Sequence, residues 1–329
     1  MFFEVKNLCF SHYKQPLCLK DINFSFAENS KILILASKDS GKTTMLKVLS
    51  GFEDSRFGNI YLNGVELKQI ADQDKNFSLI LSDSLLLENK TIKQNIDYLC
   101  SILEIENLTD EQINLYLKDF EINRKLSVKV KKLTILEKRK LQIVRAVIKN
   151  STIIFLDDIF EGLNDEEIES MFKIYKRLIL NSRLTIVSAI GDETYKKINN
   201  ELKDLKFDKF LYLIMAETNE FKSFEEFENS FKSIDMFKFL SGLNTETGFI
   251  EFDKNGYFFC QNEEKIFKFD NCFNKKLSEL KLGFGETEDV VLILKTANNL
   301  KKIEIKDINT KIKNGEIIIL SNLTGFRII

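Results

Sequence analysis

The segment Ala36-Ser-Lys-Asp-Ser-Gly41-Lys42-Thr43-Thr44 constrains this chain more than any other stretch, because its spacing matches G-x-x-x-x-G-K-[ST] at every position except the first. Before it lies Lys31-Ile-Leu-Ile-Leu-Ala36, apolar without alternation, which predicts a strand covered on both faces. After it the pattern predicts a helix with Met45, Leu46, Val48 and Leu49 on its inner side, ending at Gly51. A buried strand, a tight loop and a helix in that order aim the main-chain nitrogens from Lys38 through Thr43, with Asp39, Ser40 and Gly41 between them, at the oxygens of a phosphate chain. Lys42 is placed to neutralise those oxygens, Thr44 continues the cradle, and Thr43 offers a hydroxyl to Mg2+. Ala36 stands where glycine is preferred, and a turn requiring positive φ there costs about 1 kcal/mol. A fortuitous Gly-Lys-Thr in a lysine-rich chain is the plain alternative; the position between a buried strand and an amphipathic helix argues against it.

Around this unit, short apolar runs such as Ile22 to Phe26 and Ile60 to Leu62 read as strands over the first 70 residues. From about residue 91 to 150 the periodicity is helical, with Thr109 and Gln112 forming a capping box ahead of Ile113, Leu117 and Phe120. Strand-like runs return at Thr152 to Leu156 and Leu184 to Ser188, separated by a helix capped by Asn164 with Ile168, Met171, Phe172 and Tyr175 on one face. Strands alternating with helices imply a mostly parallel sheet. Beyond residue 225 the composition stays globular. There Leu19-Lys-Asp-Ile-Asn23 and the following Ser30 to Leu35 recur as Ile305-Lys-Asp-Ile-Asn309 and Gly315 to Leu320, so residues 226–329 are expected to open a second copy of the chain's beginning, chance similarity in an Ile/Lys/Asn-rich sequence being the alternative.

A hydrophobic fraction of 44% over 329 residues can fill real cores. Lys plus Arg number 48 against 50 for Asp plus Glu, a net charge of −2, so no broad field attracts phosphate backbones and nucleic acid is not an expected partner. One histidine excludes metal sites built on several, and five scattered cysteines without CxxC spacing suggest neither zinc nor a disulfide framework, which fits a reducing cytoplasm. The chain begins on strand-like Phe2-Phe3-Glu4-Val5 rather than a signal segment, and apolar stretches such as Phe210 to Ala216 fall far short of the roughly 20 residues a spanning helix needs. A membrane role therefore falls to a partner.

Gly41-Lys-Thr-Thr followed by Leu46-Lys-Val-Leu-Ser-Gly51, and then Gly58-Asn-Ile-Tyr-Leu-Asn-Gly64, resembles the phosphate loop, helix and next hairpin of the ATP-binding cassette (ABC) ATPase family, and the order of later elements also fits. The resemblance implies an α/β, P-loop NTPase core of ABC type over residues 1–225, with an N-terminal β-layer and a helical insert, and a small C-terminal α/β remnant over 226–329. It further implies ATP and Mg2+ as ligands, a transmembrane permease subunit and a second ABC ATPase subunit as partners in a homo- or heterodimer, and a cytoplasmic position, peripheral on the inner face of the cell membrane. In the family an aromatic near residue 12 stacks on adenine; His12 or Tyr13 fills that place here, or is an exposed loop side chain without a task. Asp157, at the end of Ile153-Ile-Phe-Leu-Asp157, matches the aspartate that supports Mg2+.

Several positions depart from the family pattern. The glutamine that contacts Mg2+ and the permease should fall near Leu81-Ser82-Asp83, where there is none. The LSGGQ signature aligns with Leu133-Thr-Ile-Leu-Glu137, so Ile135 and Leu136 are expected to block a partner's nucleotide and Glu137 to repel it. Asp158 replaces the catalytic glutamate, one methylene shorter, a misplacement that can cost about 100-fold in rate. Asp158 is the only candidate catalytic residue, although an aspartate at a strand end also serves as a simple helix cap. Gly191 stands where the switch histidine belongs, and Asn164 replaces the aspartate of the D-loop.

Three functional readings follow: an ABC transporter subunit that binds Mg-ATP with impaired hydrolysis, a non-hydrolytic nucleotide-responsive subunit, or a decayed gene product. The apparent second copy resembles tandem importer ATPases for sugars and nucleosides, which puts sugar or nucleoside uptake slightly ahead of other cargoes.

Overall fold

Alternating burial along the first strands and unbroken burial along the central ones sort the chain into distinct layers. The computed structural model describes residues 1–12, 18–37, 39–82, 85–214, 216–229, 244–262, 264–269, 287–294, 317–321 and 327–328, with Leu277, Leu282 and Phe284 as single positions. These residues fall into two units, Met1–Glu226 and Phe227–Ile329. The first unit runs β1 (Phe3–Phe10), β2 (Leu19–Phe26), β3 (Lys31–Ala36), α1 (Lys42–Leu49), β4 (Phe57–Leu62), β5 (Val65–Glu66), β6 (Phe77–Ile80), α2 (Ile92–Ile102), α3 (Asp110–Asp119), α4 (Ile135–Ile148), β7 (Ile153–Asp157), α5 (Asp165–Leu180), β8 (Thr185–Gly191), α6 (Asp192–Lys203), β9 (Lys209–Ile214) and β10 (Glu217–Phe221).

β2, β1, β4 and β5 form an antiparallel layer in that order, with one face of β1 and β2 buried and the other wet. The β4–β5 hairpin turns on Asn63 and Gly64, both at positive φ, the pair a two-residue I′ turn requires. Asn and Asp occupy eight of the eleven non-glycine positions with positive φ among the described residues, including Asp39 and Asp158.

The central sheet has the order β10-β9-β3-β8-β7-β6, parallel except for the β10 edge. β3, β7 and β8 are buried at every residue, as strands covered on both faces must be. Phe3 stacks on Phe26 at 4.8 Å and meets Phe77 and Phe155 at 6.3 and 6.5 Å, so one aromatic cluster joins the β-layer to this sheet. β3 pairs with β8 so that Ala36 lies opposite Gly191, which brings the end of β8 beside the loop that follows β3.

α2, α3 and α4 make up the helical insert. α2, α3, α4 and α5 each begin with the same reciprocal capping box, at Thr91/Gln94, Thr109/Gln112, Thr134/Glu137 and Asn164/Glu167.

In the second unit, α7 (Phe224–Asn229) contains the boundary, and β11 (Asn244–Asp253), β12 (Gly256–Gln261), β13 (Glu264–Lys268), β14 (Thr287–Leu294), β15 (Ile317–Ser321) and β16 (Arg327–Ile328) follow. They form one antiparallel sheet ordered β13-β12-β11-β14-β15-β16 over a core that includes Phe259, Phe267, Phe269 and Leu292. Among the described residues these strands all pair antiparallel, because strands joined by turns as short as Lys254-Asn255 pair with their sequence neighbours. The first half of the repeat, residues 305–309, and Gly315 and Glu316 lie outside the described residues. β15, the counterpart of β3, pairs antiparallel with β14 and β16.

Candidate nucleotide-binding site

The loop after β3 is shaped by its own short hydrogen bonds. The Ser40 hydroxyl donates to the Ser37 carbonyl at 2.7 Å and its amide to the same oxygen at 3.3 Å. Asp39 takes φ 59° and Gly41 φ 95°. A Cβ at Gly41 would lie 2.8 Å from the Cys18 carbonyl oxygen, so only glycine lets the residue leading into β2 close over the loop. Ala36, in contrast, is an ordinary extended residue of β3, paired with Gly191 and Leu213 and absent from the positive-φ positions. The expected cost at Ala36 is not incurred, because the left-handed step falls at Asp39 instead. Lys38 and Tyr13, both expected to touch nucleotide, lie outside the described residues. His12 is exposed, stands edge-on to Phe10 at 5.1 Å and brings Nε2 to 3.5 Å from the Thr44 hydroxyl, beside the start of α1.

Thr43 and Asp157 meet directly: the hydroxyl donates to Oδ2 at 2.7 Å. Asp157 is 2% exposed, and its Oδ1 is buried with no hydrogen-bond partner among the described residues. Burial pushes the Asp157 carboxyl above its ordinary value, against the Thr43 hydrogen bond and the Lys42 charge that pull it down. A buried carboxylate oxygen left open beside a hydroxyl is the donor set a hard divalent cation takes, so these residues fit Mg2+.

Asp158 lies elsewhere. At φ 39° its backbone turns the side chain under the end of β8, where Oδ2 accepts the Gly191 amide at 2.8 Å and Oδ1 accepts the Thr194 hydroxyl at 2.7 Å. Gly191 is the N-cap of α6 and has no side chain to cap it, and Thr194 sits in the first turn. Asp158 supplies the missing cap from 33 residues away. A Cβ at Gly191 would come within 2.7 Å of Oδ2, so a side chain at 191 would push aside the carboxylate that holds its amide. Burial raises the Asp158 carboxyl, opposed by these two hydrogen bonds and by Lys42. Lys42, Asp158, Glu161 and Gly191 line a cavity of about 220 Å3 that continues along α6 to Lys197.

The start of α4 differs from the expectation in one respect. Glu137 closes the capping box with Thr134 and receives Arg124 through two nitrogens, at 2.7 and 3.3 Å. Burial alone would raise the Glu137 carboxyl, but Arg124 and the Thr134 amide bring it below its ordinary value. The expected repulsion from Glu137 is thus corrected: its charge is turned inward and balanced, while Ile135 remains 53% exposed. Asn164 likewise spends its side chain on its own helix, accepting the Glu167 amide at 3.0 Å. Asp83, near the missing glutamine, lies outside the described residues. Sequence reasoning missed Thr194, Glu161 and the buried Arg139, whose Nη1 holds the Ile159 carbonyl at 3.0 Å. A glycine leading into Asp192-Glu-Thr194 is an uncapped helix start, the one signal that pointed to a distant cap.

Residues 19–161 match the family model described as ABC transporter. The first unit has the fold of an ATP-binding cassette. Its fold matches that of the dimeric ATP-binding cassette MJ0796, solved bound to ADP and Pi, with a TM-score of 0.57 at 19% identity over 67% of this chain and 98% of that one. The chain is 26% identical over 309 residues to the spermidine/putrescine import ATP-binding protein PotA of Mycoplasma genitalium, covering 89% of this chain and 45% of that protein's length. It is 25% identical over 235 residues to the phosphonates import ATP-binding protein PhnC of Fusobacterium nucleatum, covering 66% of this chain and 94% of that protein. The chain thus spans less than half the length of the first of these relatives. A match over 89% of the chain cannot fit within the cassette's 226 residues, so the likeness to PotA runs into the second unit.

Proposed function

We propose that this chain is the ATP-binding subunit of an ABC transporter, coupling Mg-ATP binding to solute movement through a separate permease, with hydrolysis slow. The observation that carries the reading is the Thr43–Asp157 pair with its open buried oxygen, beside Lys42 and a loop of amides at a helix N-terminus. Thr43 and Asp157 would hold Mg2+, which supplies charge neutralisation between the terminal phosphates. The cradle from Asp39 to Thr44 positions the phosphates, and His12 offers a ring for the base. Slow turnover follows from Asp158, both of whose oxygens are engaged in capping α6.

No helix among the described residues is long and apolar enough to cross a membrane, so attachment to the cytoplasmic face is assigned to the permease. Leu85, Leu87, Tyr98, Ile102 and Ile105 are large and exposed on the helical insert and its approach, and they suit an apolar partner segment. A second cassette, of this or another chain, would complete the pair. The relatives include import ATP-binding proteins for spermidine/putrescine, for phosphonates and for ribose, so sugar uptake stays among the proposed cargoes and the cassette itself singles out none of them. The PotA likeness favours residues 227–329 as a C-terminal domain of an importer subunit over a second cassette half.

Isothermal titration of ATP with Mg2+ into wild type and Lys42→Ala tests the reading. Binding by wild type and at least tenfold weaker binding by the variant are expected; equal weak binding by both removes nucleotide function and leaves the decayed protein. The engaged Asp158 favours the second reading, a non-hydrolytic subunit, which turnover assays distinguish.

A further inference from the structure

The cavity beside Lys42 has a carboxylate that the cap does not use. Glu161 is exposed, lines this 220 Å3 space with Lys42, Asp158 and Gly191, and stands three residues beyond Asp158 in a turn closed by its own amide on the Asp158 carbonyl at 3.0 Å. The turn is fixed from beneath. Ile159 and Phe160 are each 1% exposed, Phe160 packs edge-on against Tyr175 at 5.4 Å, and Arg139 holds the Ile159 carbonyl. The capping box at Asn164 then sets the far end. Glu161 is also among the charges acting on Asp157, Asp158 and Arg139, which places it close to the Mg2+ corner.

Resting on the nucleotide-binding reading above, we propose that Glu161, in place of Asp158, is the carboxylate that orients the attacking water in this cassette. In the step it serves, the water oxygen bonds to the terminal phosphorus of ATP as the bond from that phosphorus to the bridging oxygen breaks. ADP leaves with the electron pair, and the water's proton passes to Glu161 and then to phosphate or bulk water. A carboxylate-bearing residue that lines the cavity from a rigid turn meets the positional demand on a general base. Asp158 cannot, since engaging water would uncap α6. Glutamate at 161 thus supplies the reach that the 158 position has lost.

The experiment uses the full chain and measures single-turnover ATP hydrolysis beside binding of a fluorescent ATP analogue. Glu161→Gln is expected to lower turnover at least tenfold while the analogue's Kd stays within twofold. Asp158→Asn can still accept the Gly191 amide and meet Thr194, so at a temperature where it stays folded it is expected to lose less turnover than Glu161→Gln does. The proposal is overturned if Glu161→Gln turns over like wild type, if Asp158→Asn alone abolishes turnover, or if wild type shows none above Lys42→Ala. Loss of analogue binding in wild type itself refutes the nucleotide reading rather than the role of Glu161.

Discussion

Replacing Asp158 by alanine separates a structural cap from a catalytic carboxylate. The substitution removes two charge-assisted hydrogen bonds, at 2.8 and 2.7 Å, and leaves the Gly191 amide and the Thr194 hydroxyl without acceptors in a site where Asp158 is 4% exposed. Bonds to a charged group contribute about 1.5–3 kcal/mol each, and an N-cap loss about 0.5–2. Burial already raises the Asp158 carboxyl, so part of that gain is offset by desolvation. We expect a net loss of about 2–4 kcal/mol. Because a chain of two units need not unfold in one step, hydrogen exchange of the first-turn amides of α6 is the direct assay. Their protection should fall by the same amount. Gly191→Ala should cost about 1–3 kcal/mol alone, because its Cβ meets Oδ2 at 2.7 Å, and less than that beside Asp158→Ala, where the obstruction is gone. A loss below about 1 kcal/mol in Asp158→Ala, or strict additivity of the pair, would refute the coupled-cap argument.

The raised Asp157 carboxyl gives Mg-ATP affinity a pH dependence. A proton on Asp157 opposes the cation, so affinity should fall as pH drops through a value above the ordinary 3.8, and Asp157→Asn should show weak, pH-independent binding by titration calorimetry. For stability without Mg2+ the sign reverses: the folded state binds this proton more tightly than the unfolded one, so the Asp157 contribution is present at low pH and is lost as pH rises through the raised value, visible in urea midpoints of wild type against Asp157→Asn. Gly41→Ala should destabilise by about 1–3 kcal/mol in thermal unfolding and weaken ATP binding, because φ 95° and the Cys18 carbonyl at 2.8 Å both resist a side chain.

The elements that could be read from sequence are those set by local chemistry. Lys31–Ala36 emerges as β3, the Thr109/Gln112 and Asn164 caps hold, and Met45, Leu46, Val48 and Leu49 are buried. Thr43 and Asp157 meet across 114 residues because Asp157 ends β7 and Thr43 lies in the first turn of the helix that follows β3, at the end of the sheet where these parallel strands finish, which the motif spacing anticipates. The rest depended on pairings without a local pattern. The role of Asp158 is decided by an amide and a hydroxyl beyond the next strand, and that of Glu137 by Arg124, 13 residues back on an irregular segment. In the second unit, resemblance between short Ile-rich runs says nothing about strand direction: β15 and β3 share letters but not neighbours.

With 13 glycines in 329 residues, this chain sets more of its left-handed turns with asparagine or aspartate, eight, than with glycine, six, among the described residues. A glycine would reach the same geometry at the cost of a looser unfolded ensemble; a side chain there narrows that ensemble, a difference of about 0.4–1 kcal/mol per site. Asp39, in the loop after β3, and Asp158, in the cavity wall, are two such residues, so the site's frame is held by torsional stiffness as well as by packing. The substitution Asp39→Gly would preserve the contour and release the restraint, giving a cassette of unchanged shape whose loop must be ordered anew each time a ligand arrives.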